Sequence, residues 1–396
     1  MRIRHQLPVY SPISGRAVLR AAREALGGGR DPRPDLVALL KREYDASAVL
    51  LCGSGTQALT ISLLEALSRV GAVAVALPAF ACFDVASAAV GADARIALYD
   101  LDPDTLAPDL ESLERALAEG ARVVVAAPLY GMPIDWEELE ALARRYDAVL
   151  IEDAAQGNGA LWKGRALGSL GEISVLSFGR GKGWTGGSGG AVLLHRRGSL
   201  EDGEDGGDLR ESRFSDEVTN TLGLLAQWMF ARPALYAVPL SVPALGLGQT
   251  TYRPPRRPGC ISRTAATMLL ATYQASHCEA QIRRANAQVL LASIPNTRGM
   301  RTISVHHQAN AGYLRLPTRV SHGMAGFKSQ SRALAAGLAP GYPLTLADLR
   351  EVAARLVGKK RSWPGAQTLV QELVTVPTHS RLHPGDVAKL VATFGA

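Results

Sequence analysis

Residues 177–190 read SFGRGKGWTGGSGG, and a single lysine, Lys182, sits there among seven glycines. Of the chain's 43 basic residues 36 are arginine and seven lysine, so arginine is its ordinary surface cation and a lysine in this loop asks for a reason. A primary amine condenses with an aldehyde to an imine, which a guanidinium does not. A surface lysine in a loose loop is the plain alternative, but the flanking glycines and the apolar run EISVLSF just before it, ending at Ser177, point to a built position. Asp153 closes another apolar run, AVLIED. A carboxylate at the buried end of a strand needs a partner, or its pKa rises until it is neutral. A pyridinium nitrogen would serve, as would a helix cap or a salt bridge. Gln156 follows three residues later, within reach of the same ligand or simply of solvent. Residues 53–56, GSGT, open a helical pattern. Glycines there let the backbone approach an anion, and the free N–H groups with the helix dipole favour phosphate. Ser54 and Thr56 would add hydroxyls beside Gly55, although a plain helix cap has the same composition, and the Gly-Lys-Ser/Thr ending of a Walker A loop is missing. Together these sites ask for a ligand with a phosphate, a pyridine nitrogen and an aldehyde, which describes pyridoxal phosphate.

Positioning them requires strands. From about residue 50 to 195 short apolar runs (AVAVALP, ARIALYD, ARVVVAAP, AVLIED) alternate with amphipathic stretches such as GTQALTISLLEALSRV and DLESLERALAEG. Asp109 is placed as the N-cap of the latter and Gly120 as its stop. This rhythm predicts βαβ units and a mostly parallel sheet buried on both faces. Ligands of such sheets bind at the carboxyl ends of the strands, where Asp153, Ser177 and the GSGT turn all fall. The rhythm breaks at 198–260, with an acidic glycine-rich stretch, the apolar run 222–248 and the linker TTYRPPRRPGC. A long helix is expected from Ser262 to about Leu291. The division expected is a large domain over 1–245 and a small C-terminal domain over 246–396.

Composition narrows the class. With 47% apolar residues and no long polar tract the chain folds as a globular protein. No signal peptide is recognised, and Arg232 and three prolines interrupt the 222–248 run, so no membrane span is expected; packing within a dimer is the simpler reading of that run. Cys52, Cys82, Cys260 and Cys278 match neither a zinc motif nor a disulfide framework, which fits a reducing cytoplasm and no metal. The net charge of +7 is spread along the chain, against a nucleic-acid partner and compatible with anionic small molecules.

The segments CGSGTQAL, LPAFACFDVASAAVGA, PLYGMPIDWEEL, EDAAQGNGALWKGRALGSLGEISVLSF and GKGWTGGSGGAVLL resemble the DegT/DnrJ/EryC1/StrS family, above all the 29-residue step from Asp153 to Lys182. The resemblance is strong over about 50–195 and weaker in the C-terminal third. It implies a fold-type-I pyridoxal-phosphate enzyme: a mostly parallel central sheet with helices on both faces plus a smaller C-terminal α+β domain. It further implies that Lys182 binds the cofactor's aldehyde, that Asp153 pairs with the pyridine nitrogen, and that Gln156 lies near the ring hydroxyl. Ser177, Thr56 and Gln57 would hold the phosphate, beside Ser54 and Gly55. Cys82 stands where the family often places a ring over the cofactor, with Phe83 next to it. Asn220 is a candidate to reach a partner subunit's phosphate in a homodimer with shared sites. The implied activity is ping-pong transfer of an amino group from an amino acid such as glutamate to a ketone of a nucleotide-linked sugar, with a lyase, dehydratase or other transferase on a non-sugar substrate as the alternative. Two departures stand out: Ser188 where the family usually has an acid, and no recognisable late histidine motif, since His306 and His307 read as structural.

Overall fold

A computed structural model of the chain describes residues 5–25, 29–71, 74–195, 209–240, 250–294, 299–358 and 361–394. The expected domain boundary near 246 and most of the acidic stretch that starts at 198 lie outside the described residues. In chain order the strands are β1 (Ala48–Cys52), β2 (Ala74–Pro78), β3 (Arg95–Tyr99), β4 (Ala121–Ala126), β5 (Val149–Asp153), β6 (Leu161–Trp162), β7 (Arg165–Ala166), β8 (Ile173–Ser177), β9 (Gly190–Leu194), β10 (Met300–Thr302), β11 (Ala309–Asn310), β12 (Leu316–Val320), β13 (Ala339–Pro340) and β14 (Leu373–Val376). Seven form one sheet in the order β1-β9-β8-β5-β4-β2-β3. Its interior pairs are parallel from β3 to β8, and β9 runs antiparallel to both neighbours.

The expected helices occur between these strands at Gly55–Val70, Phe83–Gly91, Leu110–Ala118 and Trp136–Arg145. Asp109 caps the third, its carboxylate accepting the Ser112 N–H at 2.8 Å. The strands are apolar throughout because each face of the sheet is covered. In β3, Ile96 and Leu98 enter one buried cluster while Ala97 and Tyr99 enter the other.

A second sheet, β10-β12-β14-β13, is antiparallel. A third joins β11 to the β6–β7 hairpin and ties the C-terminal third to the segment that follows β5. The long helix Arg263–Leu291 starts where expected, Ser262 Oγ accepting the Ala265 N–H at 3.1 Å. The linker is seated, not free: the Gly259 carbonyl accepts the Gly53 N–H at 2.6 Å. The helix Phe214–Phe230, whose second half enters the apolar run, exposes Phe214, Val218, Leu222, Leu225 and Met229. Its two acids are turned aside, Asp216 to Arg210 at 3.0 Å and Glu217 into the core. Among the described residues no helix is long and apolar enough to cross a membrane.

Period-two alternation splits the two acids that end β5. Glu152 is fully buried and accepts the N–H groups of Gly168 (2.7 Å), Leu170 (2.9 Å) and Gly171 (3.2 Å) and the Ser174 hydroxyl (2.8 Å). Those four bonds fold the 168–174 turn that feeds β8. Glu152→Ala strands four buried donors, and each unsatisfied group costs about 1–3 kcal/mol. We expect denaturant unfolding to show a loss of at least about 3 kcal/mol, with Asp153→Ala costing less than about 1. Equal losses would contradict this division.

Candidate active site at the carboxyl ends of the strands

The loop after β8 carries Lys182 between Gly181 (φ +77°) and Gly183 (φ +80°), both in the left-handed region that side chains disfavour. A Cβ at Gly183 would also lie 2.6 Å from Asn158 Oδ1. Asn158 is fixed in turn by the buried Arg283, whose Nη2 donates to the Asn158 carbonyl at 2.7 Å and to its Oδ1 at 3.0 Å. The glycines thus let the loop carry a long side chain where the side chains of Val9 and Asn158 press against its backbone.

The GSGT turn lies opposite. Ser54 caps the helix Gly55–Val70, its Oγ accepting the Gln57 N–H at 3.2 Å. A Cβ at Gly55 would fall 2.5 Å from Ser177 Cβ, and one at Gly190 2.6 Å from the Gly55 nitrogen. The helix start is therefore pressed onto the ends of β8 and β9 with no room for a methyl group.

A cleft opens here, lined by Gly55, Thr56, Cys82, Asp84, Asp153, Gln156, Ser177 and Lys182 together with apolar groups such as Leu59, Val85 and Leu129. Withdrawal from water pushes the Asp153 carboxyl above its ordinary value; the Lys182 charge and the Ala155 N–H, donated to Asp153 Oδ1 at 3.1 Å, pull it back, and the nearby Asp84 pushes it up again. A positive group beside it would oppose that rise. Gln156 is held at both ends of its amide: Oε1 accepts the Tyr130 N–H at 3.0 Å and Nε2 donates to the Tyr342 hydroxyl at 2.9 Å. Tyr342 stacks on Tyr130, with ring centroids 6.4 Å apart at 18°.

Seven of the residues singled out from the sequence line this cleft: Gly55, Thr56, Cys82, Asp153, Gln156, Ser177 and Lys182. Four lie outside its lining. Ser54 serves as the helix cap. Gln57 donates from Nε2 to the Arg257 carbonyl at 2.9 Å, so its amide faces the linker. Phe83 is buried in the core beneath Tyr342. The Asn220 amide donates to the Gly186 carbonyl at 3.0 Å and the Ser262 hydroxyl at 3.2 Å of its own chain. His306 packs on Trp162 at 4.9 Å, away from the cleft, as a structural residue does. Two further residues at the site, Asp84 and Tyr342, carry little or no signal in the sequence. Asp84 had a signal, an acid two places after Cys82, but acids in a helix's first turn are common. Tyr342 had none, since it arrives from a loop 160 residues beyond Lys182.

The DegT/DnrJ/EryC1/StrS aminotransferase family model matches residues 38–200. The L-glutamine:2-deoxy-scyllo-inosose aminotransferase of Streptoalloteichus tenebrarius is 34% identical over 182 residues, 45% of this chain and 43% of that relative, so the match spans less than half of it. The enzyme of the same name from Streptomyces lividus is 29% identical over 311 residues, covering 75% of this chain and 67% of that one. Among solved structures, AtS13 from Actinomadura melliaura shares the fold with a TM-score of 0.75 at 20% identity, over 99% of this chain and 98% of its own.

The cleft's thiol gives a chemical check on this geometry. Burial pushes Cys82 up to about 12, with the nearby Asp84 adding to the rise and Lys182 opposing it. At pH 8 only about one molecule in ten thousand then carries the thiolate there. Brief N-ethylmaleimide treatment at pH 8 should label the exposed Cys278 and spare Cys82. Equal labelling of both, read by peptide mass mapping, would contradict the packing at the cleft.

Proposed function

We propose, for a chain whose residues 38–200 belong to the DegT/DnrJ/EryC1/StrS aminotransferase family, a pyridoxal-phosphate-dependent transfer of an amino group from an amino acid to the ketone of a polyhydroxylated ring. The observation that carries this reading is the convergence of Lys182, Asp153 and the Gly55–Thr56 helix start with Ser177 on one cleft.

The residues present fit that cofactor. The Gly55 N-terminus, Thr56 and Ser177 offer backbone and hydroxyl donors to a phosphate, held together by a contact in which a Cβ at Gly55 would strike the Ser177 side chain. Asp153, which lacks a full counter-charge, suits a protonated ring nitrogen. Gln156 stands beside it with both amide ends pinned, so it presents one fixed edge. Lys182 supplies the amine that holds the aldehyde carbon. The bound cofactor supplies an electron sink for the pair left behind when a Cα–H bond breaks.

The chain's own residues do the rest. With the cofactor bound, Lys182 Nζ would act as general base for the Cα proton of the amino donor and return it to the carbon two bonds away, across the nitrogen. Asp153 keeps the proton on the ring nitrogen. Leu59, Val85 and Leu129 exclude water from the cleft wall. The donor proposed is glutamate, or glutamine as the relatives' names print. A nucleotide-linked sugar rests on the +7 net charge, whereas the inosose relatives favour an unlinked ring; the class common to both is a ring ketone rich in hydroxyls. The four cysteines are free, which fits a reducing compartment. Homodimer formation is supported by the charge-free exposed face of the helix Phe214–Phe230, an apolar stripe of the kind that monomers rarely leave uncovered.

Lys182→Ala and Lys182→Arg should both lose turnover by at least about a thousandfold and lose the cofactor's bound absorbance, because charge alone does not replace the amine. Asp153→Ala should keep the absorbance and slow proton abstraction, read as a smaller half-reaction rate with amino donor. Wild-type turnover in purified Lys182→Ala would remove the assignment.

A further inference from the structure

The chemistry assigned so far uses two of the three charged groups lining the cleft, Lys182 and Asp153. The third, Asp84, is unused. It follows Phe83 in the first turn of the helix Phe83–Gly91, two residues after Cys82, and its side chain is exposed to the cleft. Among the described residues its carboxylate has no ion pair and no side-chain hydrogen bond. Its charge is felt by both Cys82 and Asp153, which places it over the same space as the cofactor-binding groups.

An acid in a helix's first turn complements the dipole and needs no further purpose. That role is served as well by any residue pointing to bulk solvent. Asp84 instead stands on the wall of a cleft whose other charged acid already has a task, at a cost to that acid, since Asp84 makes it harder to ionise. A free carboxylate is an acceptor only. It repels the carboxylates of an amino donor or of a keto acid, and it repels a diphosphate. It attracts O–H donors, and its two oxygens can take a pair of neighbouring hydroxyls on one ring. Of the small molecules that must enter this cleft in turn, the one offering such donors is the polyhydroxylated ketone.

We propose that Asp84 is a specificity-determining residue that binds ring hydroxyls of the amino acceptor, so that the cleft accepts an uncharged polyol ketone and disfavours acidic groups at that wall. This rests on the aminotransferase reading above. Asp84 acts on the acceptor half-reaction and leaves the donor half-reaction to Lys182 and Asp153. The nucleotide portion of any linked sugar would have to lie away from this wall.

The test uses the full-length enzyme loaded with the amino form of its cofactor, and compares Asp84→Asn and Asp84→Glu with wild type. Three ketones are followed by the cofactor's spectrum: scyllo-inosose, 2-deoxy-scyllo-inosose and 2-oxoglutarate. Asp84→Asn should lower kcat/KM for the inososes about 10- to 100-fold, mainly through KM, as expected for losing a charged hydrogen-bond acceptor. The same variant should react with 2-oxoglutarate at least as fast as wild type, because a repulsion is gone. Asp84→Glu, which keeps the carboxylate, should recover part of the inosose rate. Equal losses with all three ketones, or none with the inososes, would overturn the role given to Asp84 and leave the aminotransferase reading standing. A wild-type enzyme that converts 2-oxoglutarate but neither inosose would overturn the substrate class, and the role of Asp84 with it.

Discussion

The site depends on a contact that has no room for a methyl group. The helix start at Gly55 lies against Ser177, and Gly190 lies against the Ser54–Gly55 peptide. That contact brings the carboxyl ends of β1 and β8 and the start of β9 to one point. It aims the free N–H groups of a 16-residue helix at the cleft, and it fixes Ser177 and the loop leading to Lys182 relative to them. Cβ atoms essentially never approach as closely as 2.5 Å, so a larger residue at Gly55 or Gly190 would push the strand ends apart. The loss would fall on the anion cradle before it fell on the sheet, whose pairing from β2 to β5 lies elsewhere.

Charge is organised around the same point. β5 ends in two acids, and strand alternation sends them to opposite fates. Glu152 is buried with four donors and serves only to fold the next turn. Asp153 faces the cleft with one backbone donor and the pull of Lys182, and burial holds its carboxyl above the ordinary aspartate value. The cleft is therefore asymmetric. One side offers backbone and hydroxyl donors to an anion, the floor offers a carboxylate to a cation, and the wall at Asp84 offers an acceptor to neutral hydroxyls. A ligand must match all three in one orientation, which is a stronger constraint than any one of them.

Much of this could be read from residue order. Alternating apolar runs and amphipathic helices announced the parallel sheet, and the rule that ligands sit at strand carboxyl ends put Asp153, Ser177 and the GSGT turn together. Lys182 was conspicuous because lysine is scarce in this chain and glycine abundant around it. Side-chain direction was not legible in the same way. Gln57 sits one residue from Thr56, yet the helix turns its amide towards the linker carbonyl at Arg257. Asn220 and Ser54 have the right chemistry for an anion but are spent on backbone and capping bonds within the chain. Tyr342 could not be read at all, because it is placed by the pairing of β13 with β14 and by the Gly341 N–H on the Leu373 carbonyl, and its stacking partner Tyr130 lies about 210 residues away in the chain. Long-range packing of that kind has no local signature.

The most direct test is chemical. Reduction of the cofactor-loaded protein with borohydride, followed by proteolysis and mass mapping, traps whichever amine holds the aldehyde. The account predicts one reduced adduct, on the peptide that contains Lys182, and none on the other six lysines. An adduct on another lysine, or bound cofactor with no adduct at all, would contradict it.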